Sequence, residues 1–201
     1  LSPRGRLWGD FTVSCLNEES LQLTASYGAQ AFHMRWFQMN EMEGVRVENV
    51  SDRLNGFQIA GPKAREVLAA CTRSDVSDMA FLDVRRLTVG MADCLVQRVS
   101  YTGDLGYEIF CDPMEQRALW STLWEAGQPH GMKPFGMRAM MSLRLDRFFG
   151  SWGAEFSPDY TPGETGLDRF ISFRKNADFI GRPAAEAERA EGAARTLRPF
   201  E

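Results

Sequence analysis

Histidine is nearly absent. Only His33 and His130 occur in 201 residues, too few for the nitrogen-rich ligand sets of zinc or non-haem iron, so no metal centre is expected. Cysteine is sparse and scattered: Cys15, Cys71, Cys94 and Cys111 form no Cys-x-x-Cys pair. Each lies in an apolar run, which points to buried free thiols in a reducing, cytoplasmic setting. No Gly-x-Gly-x-x-Gly or phosphate-loop motif occurs, so the chain is not expected to hold a dinucleotide by those devices. No apolar run approaches the roughly 20 residues of a membrane helix, and no secretory leader pattern opens the chain. Basic residues do not cluster and the net charge is −4. Nucleic acid and membrane are therefore not expected as partners.

What remains is a composition with ample material for a core, 44% hydrophobic and 25% charged. The patterning predicts an α+β chain with antiparallel sheets and packed helices. Asp10 opens a strand, DFTVSCL, with Phe11, Val13 and Cys15 on one face. LQLTAS (21–26) returns, with Leu21, Leu23 and Ala25 inward. Helical spacing of Ala29, Phe32, Trp36 and Phe37 follows, with Ser26 as N-cap. VRVENV (45–50) reads as a short strand, and RLNGFQIAG as the first strand of a second unit. Gly61-Pro62 then starts the helix KAREVLAAC, proline fitting the first turn because it lacks an N–H. Strands at 82–89 and 92–100 lead to the turn Thr102-Gly103-Asp104. Asp112-Pro113-Met114-Glu115 caps a helix over 113–126, striped by Leu119, Trp120, Leu123 and Trp124, and another helix spans 135–148. ISF (171–173) reads as a returning strand. The domain reading is 1–51 as the first part of one unit, 52–130 as a ferredoxin-like module, 131–185 as a helix and loop returning to the first unit, and 186–201 as a polar tail or linker.

The stretch SYTGDLGYEIFCD (100–112) is the most informative. By the two-residue period of a strand, Tyr107, Ile109 and Cys111 face one way and Glu108 and Phe110 the other. Glu108 is thus a carboxylate on a rigid strand just after a glycine turn. Such a group suits bidentate hydrogen bonding to a flat ring rich in N–H groups, for example a pterin, with the Tyr101 phenol nearby to stack or hydrogen-bond. From the residues alone, the stronger reading is the plain one, with Glu108 a solvent-facing strand residue and Tyr101 an ordinary hairpin residue.

Five segments in order carry a resemblance. SYTGDLGYEIF is similar to the SYTGELGYEL-type segment of the folate-binding aminomethyltransferase family, which includes the glycine-cleavage T-protein and the C-terminal folate domains of dimethylglycine and sarcosine dehydrogenases and oxidases. IAGPKAREVLAACT (59–72), GMRAMMSLRLDRF (136–148), SWGAEFSPDYTPGETGL (151–167) and DFIGR (178–182) resemble that family's other segments in the same order. The resemblance implies the family's folate-binding fold, with its C-terminal β-barrel absent here, and a chain that is a piece of a longer polypeptide.

It also implies roles. RGRLWGDFTV resembles the segment that holds the family's essential acid, which makes Asp10 the catalytic candidate. A methylene on a substrate nitrogen is electrophilic as an iminium, and a carboxylate beside the attacking folate amine can stabilise the cation and take the proton. Arg4 and Arg6 flank Gly5 where the family has a double glycine. Glu108, Tyr101 and Arg138 become the folate-binding residues. Arg138 stands as in the dehydrogenase-type domains, whereas Met140 and Met141 occupy the positions of the T-protein's Arg-Asp pair. Ala154-Glu155 replaces a frequent His-Asp, and Arg144 is expected to pair with a carboxylate such as Asp146 or Glu164. The implied activity is tetrahydrofolate-dependent one-carbon transfer from an N-methyl amine, giving 5,10-methylenetetrahydrofolate. The resemblance further implies FAD only in a separate upstream dehydrogenase domain of the full-length protein. The alternatives are a T-protein-like aminomethyltransferase or folate-dependent demethylase, and a non-catalytic folate-binding module.

Overall fold

The computed structural model describes residues 1–200. They form two compact units, one of Leu1–Thr12, Leu23–Val47 and Gly150–Glu201, the other of Val13–Gln22 and Glu48–Phe149. In chain order the elements are β1 (Thr12–Asn17), β2 (Ser20–Thr24), α1 (Gln30–Met39), β3 (Asn55–Ala60), α2 (Ala64–Cys71), β4 (Val84–Val89), β5 (Ala92–Gln97), β6 (Gly106–Cys111), α3 (Gln116–Gly127), α4 (Met137–Leu143), α5 (Pro162–Thr165) and α6 (Arg182–Glu191). No helix is long and apolar enough to cross a membrane, and no closed barrel occurs among the described residues.

The second unit is built on a four-stranded antiparallel sheet in the order β3-β6-β5-β4. Its register puts Ile59 beside Tyr107, Phe57 beside Ile109, and Ile109 beside Val96. That face is apolar, and it packs with Val67 and Leu68 of α2 and Leu119 and Leu123 of α3 into one buried cluster. Tyr107, Ile109, Val96, Leu68 and Leu119 are each fully buried, and at about 25 cal/mol per Å² this burial is the main driving force for the unit. The Tyr107 hydroxyl is buried without a hydrogen-bond partner. Asp112 caps the helical segment after β6 by accepting from the Met114 N–H at 2.8 Å. The helix expected at 135–148 is α4 followed by a 3-10 turn, Arg144–Arg147.

In the first unit, α1 presents Phe32, His33, Trp36 and Phe37 to the rings of the N-terminal segment. Trp8 lies 4.9 Å from Phe32 and 4.5 Å from Trp36, and Phe11 lies 4.6 Å from His33. Burial lowers the pKa of His33 and keeps its imidazole neutral. α5 opens with a capping box in which Thr161 and Glu164 satisfy each other's backbone N–H groups. The buried Glu164 also meets Arg195 at 2.8 Å and Arg6 at 3.5 Å.

Several local expectations are corrected. Leu21 and Leu23, expected inward, are exposed, whereas Ser14 is buried. Cys15 is exposed, and only Cys71, Cys94 and Cys111 are buried thiols. Residues 45–50 and 171–173 are not strands, because an extended run needs a neighbour to pair with. Ser26 makes no capping bond, since a 3-10 turn, Tyr27–Ala29, precedes α1. Pro62 lies ahead of Lys63, the N-cap of α2, and so outside the first turn. Residues 182–191, composed largely of Ala, Glu and Arg, are helical. Arg144 donates to the Phe149 carbonyl at 2.6 Å, and Glu164 pairs with Arg195 and Arg6.

Candidate functional site

The sheet face opposite the core carries the chemistry. β6 alternates as expected, so Glu108 projects away from Tyr107 and Ile109. The register then sets Gln58 of β3 on one side of Glu108 and Gln97 of β5 on the other. The three side chains form one polar row across the sheet. Gln97 is only 2% exposed, yet neither its amide nitrogen nor its amide oxygen has a hydrogen-bond partner, and the Gln58 amide oxygen is also buried and unpaired. Burial pushes the Glu108 carboxyl up to about 7. Unpaired amides beside a desolvated carboxyl are costly in a structural core, where buried polar groups are normally satisfied. Together they present two acceptor oxygens, an amide N–H₂ and a titrating carboxyl to whatever lies on this face, the complement of a flat heterocycle with N–H and C=O edges.

The turn before β6 is held by its own polar groups. Ser100 Oγ and Thr102 Oγ1 lie 2.8 Å apart, and the Gly103 N–H reaches the Ser100 carbonyl at 3.2 Å. Gly106 is needed there, because a Cβ would stand 2.7 Å from both the Ile59 carbonyl oxygen and the Ser100 Cβ. Tyr101, on the same turn, stacks on Phe149 with ring centroids 6.4 Å apart. Asp104 meets Arg147 at 3.4 Å, an exposed pair worth about 0–1 kcal/mol, consistent with a structural part. Arg138 is exposed on α4 and forms no ion pair among the described residues.

Asp10 belongs to the first unit. It sits between Trp8 and Phe11, whose rings anchor that segment to α1. Gly9 allows this path, since a Cβ there would lie 2.2 Å from the Phe11 ring. Asp10 keeps solvent-exposed surface, but the surrounding protein raises its carboxyl above the usual aspartate range by desolvation.

Residues 1–175 match the GCVT N-terminal domain. The chain belongs to the GCVT N-terminal domain family. Within this family's relatives, the human mitochondrial dimethylglycine dehydrogenase is 36% identical over 202 residues, covering 98% of this chain and 23% of that protein. The aminomethyltransferase of Alkaliphilus metalliredigens is 31% identical over 199 residues, covering 98% of this chain and 54% of that protein. The chain thus spans about a quarter of one kind of relative and about half of the other. Among solved structures, the glycine cleavage system aminomethyltransferase T from Bartonella henselae superposes over 98% of this chain and 53% of its own, with TM-score 0.82 at 24% identity. That likeness shows the fold: the mixed helices and antiparallel sheets of this GCVT domain are those of the aminomethyltransferase T protein. A heterotetrameric sarcosine oxidase from Corynebacterium sp. U-96 gives TM-score 0.52 over 66% of each chain at 18% identity.

The structure groups Glu108 with Gln58 and Gln97, places Tyr101 on the adjoining turn and Arg138 on α4, and puts Asp10 in the other compact unit. The two glutamines were not anticipated. One signal was present: Gln97 ends the run ADCLVQ, where an amide closes an otherwise almost wholly buried strand.

Proposed function

We propose that this GCVT domain binds tetrahydrofolate and serves one-carbon transfer from an N-methyl amine or its iminium, as the folate domain of an N-methylglycine dehydrogenase or oxidase. The observation that carries this reading is the Gln58–Glu108–Gln97 row, with its unpaired buried amides and a carboxyl that titrates near neutrality. A pterin ring fits that donor and acceptor set. When bound, tetrahydrofolate supplies the secondary amine that takes up the one-carbon unit.

The chain's own residues then divide the work. Glu108, once ionised, accepts two ring N–H bonds, and charge-assisted bonds of this kind are the strong ones. Gln97, through its free amide, and Gln58, through its free amide oxygen, fix the ring's orientation. The Tyr101 phenol, on the turn before Glu108, flanks the site. Arg138, an unpaired exposed cation, is available to a carboxylate of the ligand. Asp10 holds and releases a proton at its carboxyl, whose raised pKa brings it closer to the working pH of a general base. Its assignment rests on the RGRLWGDFTV segment. The placement of Arg138, with Met140 and Met141 following, favours the dehydrogenase and oxidase group over a T-protein-like aminomethyltransferase. FAD would then act in another domain of the full-length protein.

The test is calorimetric titration of the intact protein with tetrahydrofolate beside Glu108→Ala and Asp10→Ala, followed by turnover with dimethylglycine and sarcosine. Binding by wild type and Asp10→Ala, loss of binding by Glu108→Ala, and loss of turnover by Asp10→Ala are expected. Absence of binding by wild type at saturating folate removes the proposal. Turnover by Asp10→Ala at the wild-type rate removes the catalytic assignment of Asp10.

A further inference from the structure

The two edges of the four-stranded sheet are treated differently. β4 is guarded: its sequence VRRLTV carries Arg85 and Arg86, and Arg85 reaches Asp78 at 2.8 Å and Asp83 at 3.4 Å. Charges on an edge strand are the usual defence against pairing with another chain. β3, at the other edge, has the sequence NGFQIA, with neither charge nor proline, and among the described residues no strand pairs with its outer side. A groove of about 520 Å³ runs beside it and is lined by every residue from Gly56 to Ala64. Five of these, Gly56–Ala60, are consecutive residues of β3, and Gly61–Ala64 are the turn and the start of α2, so the groove runs along most of the strand and on to the helix. The opposite wall is apolar, with Trp120, Trp124, Met137 and Met140, and Trp120 and Trp124 stack in parallel at 5.8 Å. The charged lining groups are cationic or can become so: Lys63, His130 and Lys133. Glu66 meets Lys63 at 2.8 Å and His130 at 3.7 Å, whereas Lys133 has no ion pair among the described residues.

We propose that β3 accepts an extended acidic peptide segment as an added strand, its backbone pairing with the β3 edge and its alternate side chains divided between the apolar wall and Lys133. Strand addition of this kind draws affinity from main-chain hydrogen bonds and specificity from pockets for alternate side chains. Six residues of β3 offer about 20 Å of edge at roughly 3.3 Å per residue. A basic segment is disfavoured by Lys133, and a helix leaves the edge N–H and C=O groups unpaired. Gln58 belongs both to this groove and to the polar row of the folate reading, but the backbone pairing and the role of Lys133 do not depend on that reading.

The experiment uses the intact protein and a fluorescein-labelled, end-capped hexapeptide alternating glutamate and valine, followed by anisotropy and by emission of the groove tryptophans. Saturable binding is expected. Replacing glutamate by lysine in the peptide, or N-methylating alternate backbone nitrogens, should weaken it by roughly tenfold or more. Lys133→Glu, a surface change that leaves the core intact, should weaken the acidic peptide and improve the lysine peptide. The proposal fails if no saturable binding occurs up to millimolar peptide. It fails equally if the N-methylated peptide binds as well as the parent, because the backbone edge is then unused. Self-association of the protein that the peptide does not displace would assign the edge to a second copy and overturn it.

Discussion

Glu108→Gln should stabilise the ligand-free protein at alkaline pH while abolishing its ligand binding. Burial raises the Glu108 carboxyl from 4.5 to about 7. Below pH 4.5 the group is protonated in folded and unfolded chains alike. Between 4.5 and 7 the unfolded chain gives up the proton and the folded one keeps it, so stability falls as pH rises, and it levels off above 7. A difference of about 2.5 pH units at 1.36 kcal/mol per unit amounts to roughly 3 kcal/mol. Glutamine has nearly the same shape and no charge to bury, so it escapes that loss. Urea denaturation followed by tryptophan fluorescence should show the two proteins within about 0.5 kcal/mol near pH 4.5 and separated by about 2–3 kcal/mol, in favour of the variant, at pH 8. In thermal melts at pH 8, ~2–4 °C per kcal/mol for a chain of this size gives an upward displacement of about 5–10 °C. A constant difference across pH, or a wild type more stable at pH 8, would refute the account of Glu108 as a carboxyl held protonated by burial. Stability gained where binding is lost is the mark of a group retained for function.

Three other outcomes follow. Tetrahydrofolate affinity should weaken as pH falls below 7, approaching about tenfold per pH unit, because the ionised Glu108 is the binding form; calorimetry at pH 6, 7 and 8 reads this, and a flat profile excludes carboxylate recognition. Tyr107→Phe removes a buried hydroxyl with no partner and should raise stability by about 1 kcal/mol in urea melts, whereas a loss would mean that the hydroxyl is satisfied. Gly106→Ala places a methyl 2.7 Å from the Ile59 carbonyl oxygen; it should cost about 1–3 kcal/mol and weaken folate binding through the displaced start of β6, an effect visible as reduced affinity at unchanged stoichiometry.

What was legible in the chain was local. The alternation through Tyr107, Glu108, Ile109, Phe110 and Cys111 gave the faces of β6 correctly, because a two-residue period depends on neither partner nor order. The cap at Asp112 and the stripe Leu119–Leu123 of α3 were equally local. The row that makes Glu108 informative was not legible, since Gln58 and Gln97 join it only through the order β3-β6-β5. The β1–β2 hairpin shows the same limit: alternation groups Leu21 with Leu23 but does not say which face is covered, and here the leucine face is exposed. Val45 and Val47 read as a strand because branched side chains favour extended backbone, yet they remain exposed and unpaired in any sheet. The helix α6 was not anticipated: its Ala, Glu and Arg content and the Arg182–Glu186 pair at 2.9 Å favour a helix bounded by Gly181 and Gly192.

The uneven placement of the four thiols makes the chain a gauge of its own folding. Cys71, Cys94 and Cys111 are sealed in the core and Cys15 lies at the surface, while burial raises the pKa of the sealed three, Cys94 to about 12. Both sterics and acidity keep those three from a maleimide, since the thiolate is the reactive form. A dye at Cys15 would mark every native molecule once, and the appearance of further label would time each opening of the sheet and its helices without any engineered cysteine.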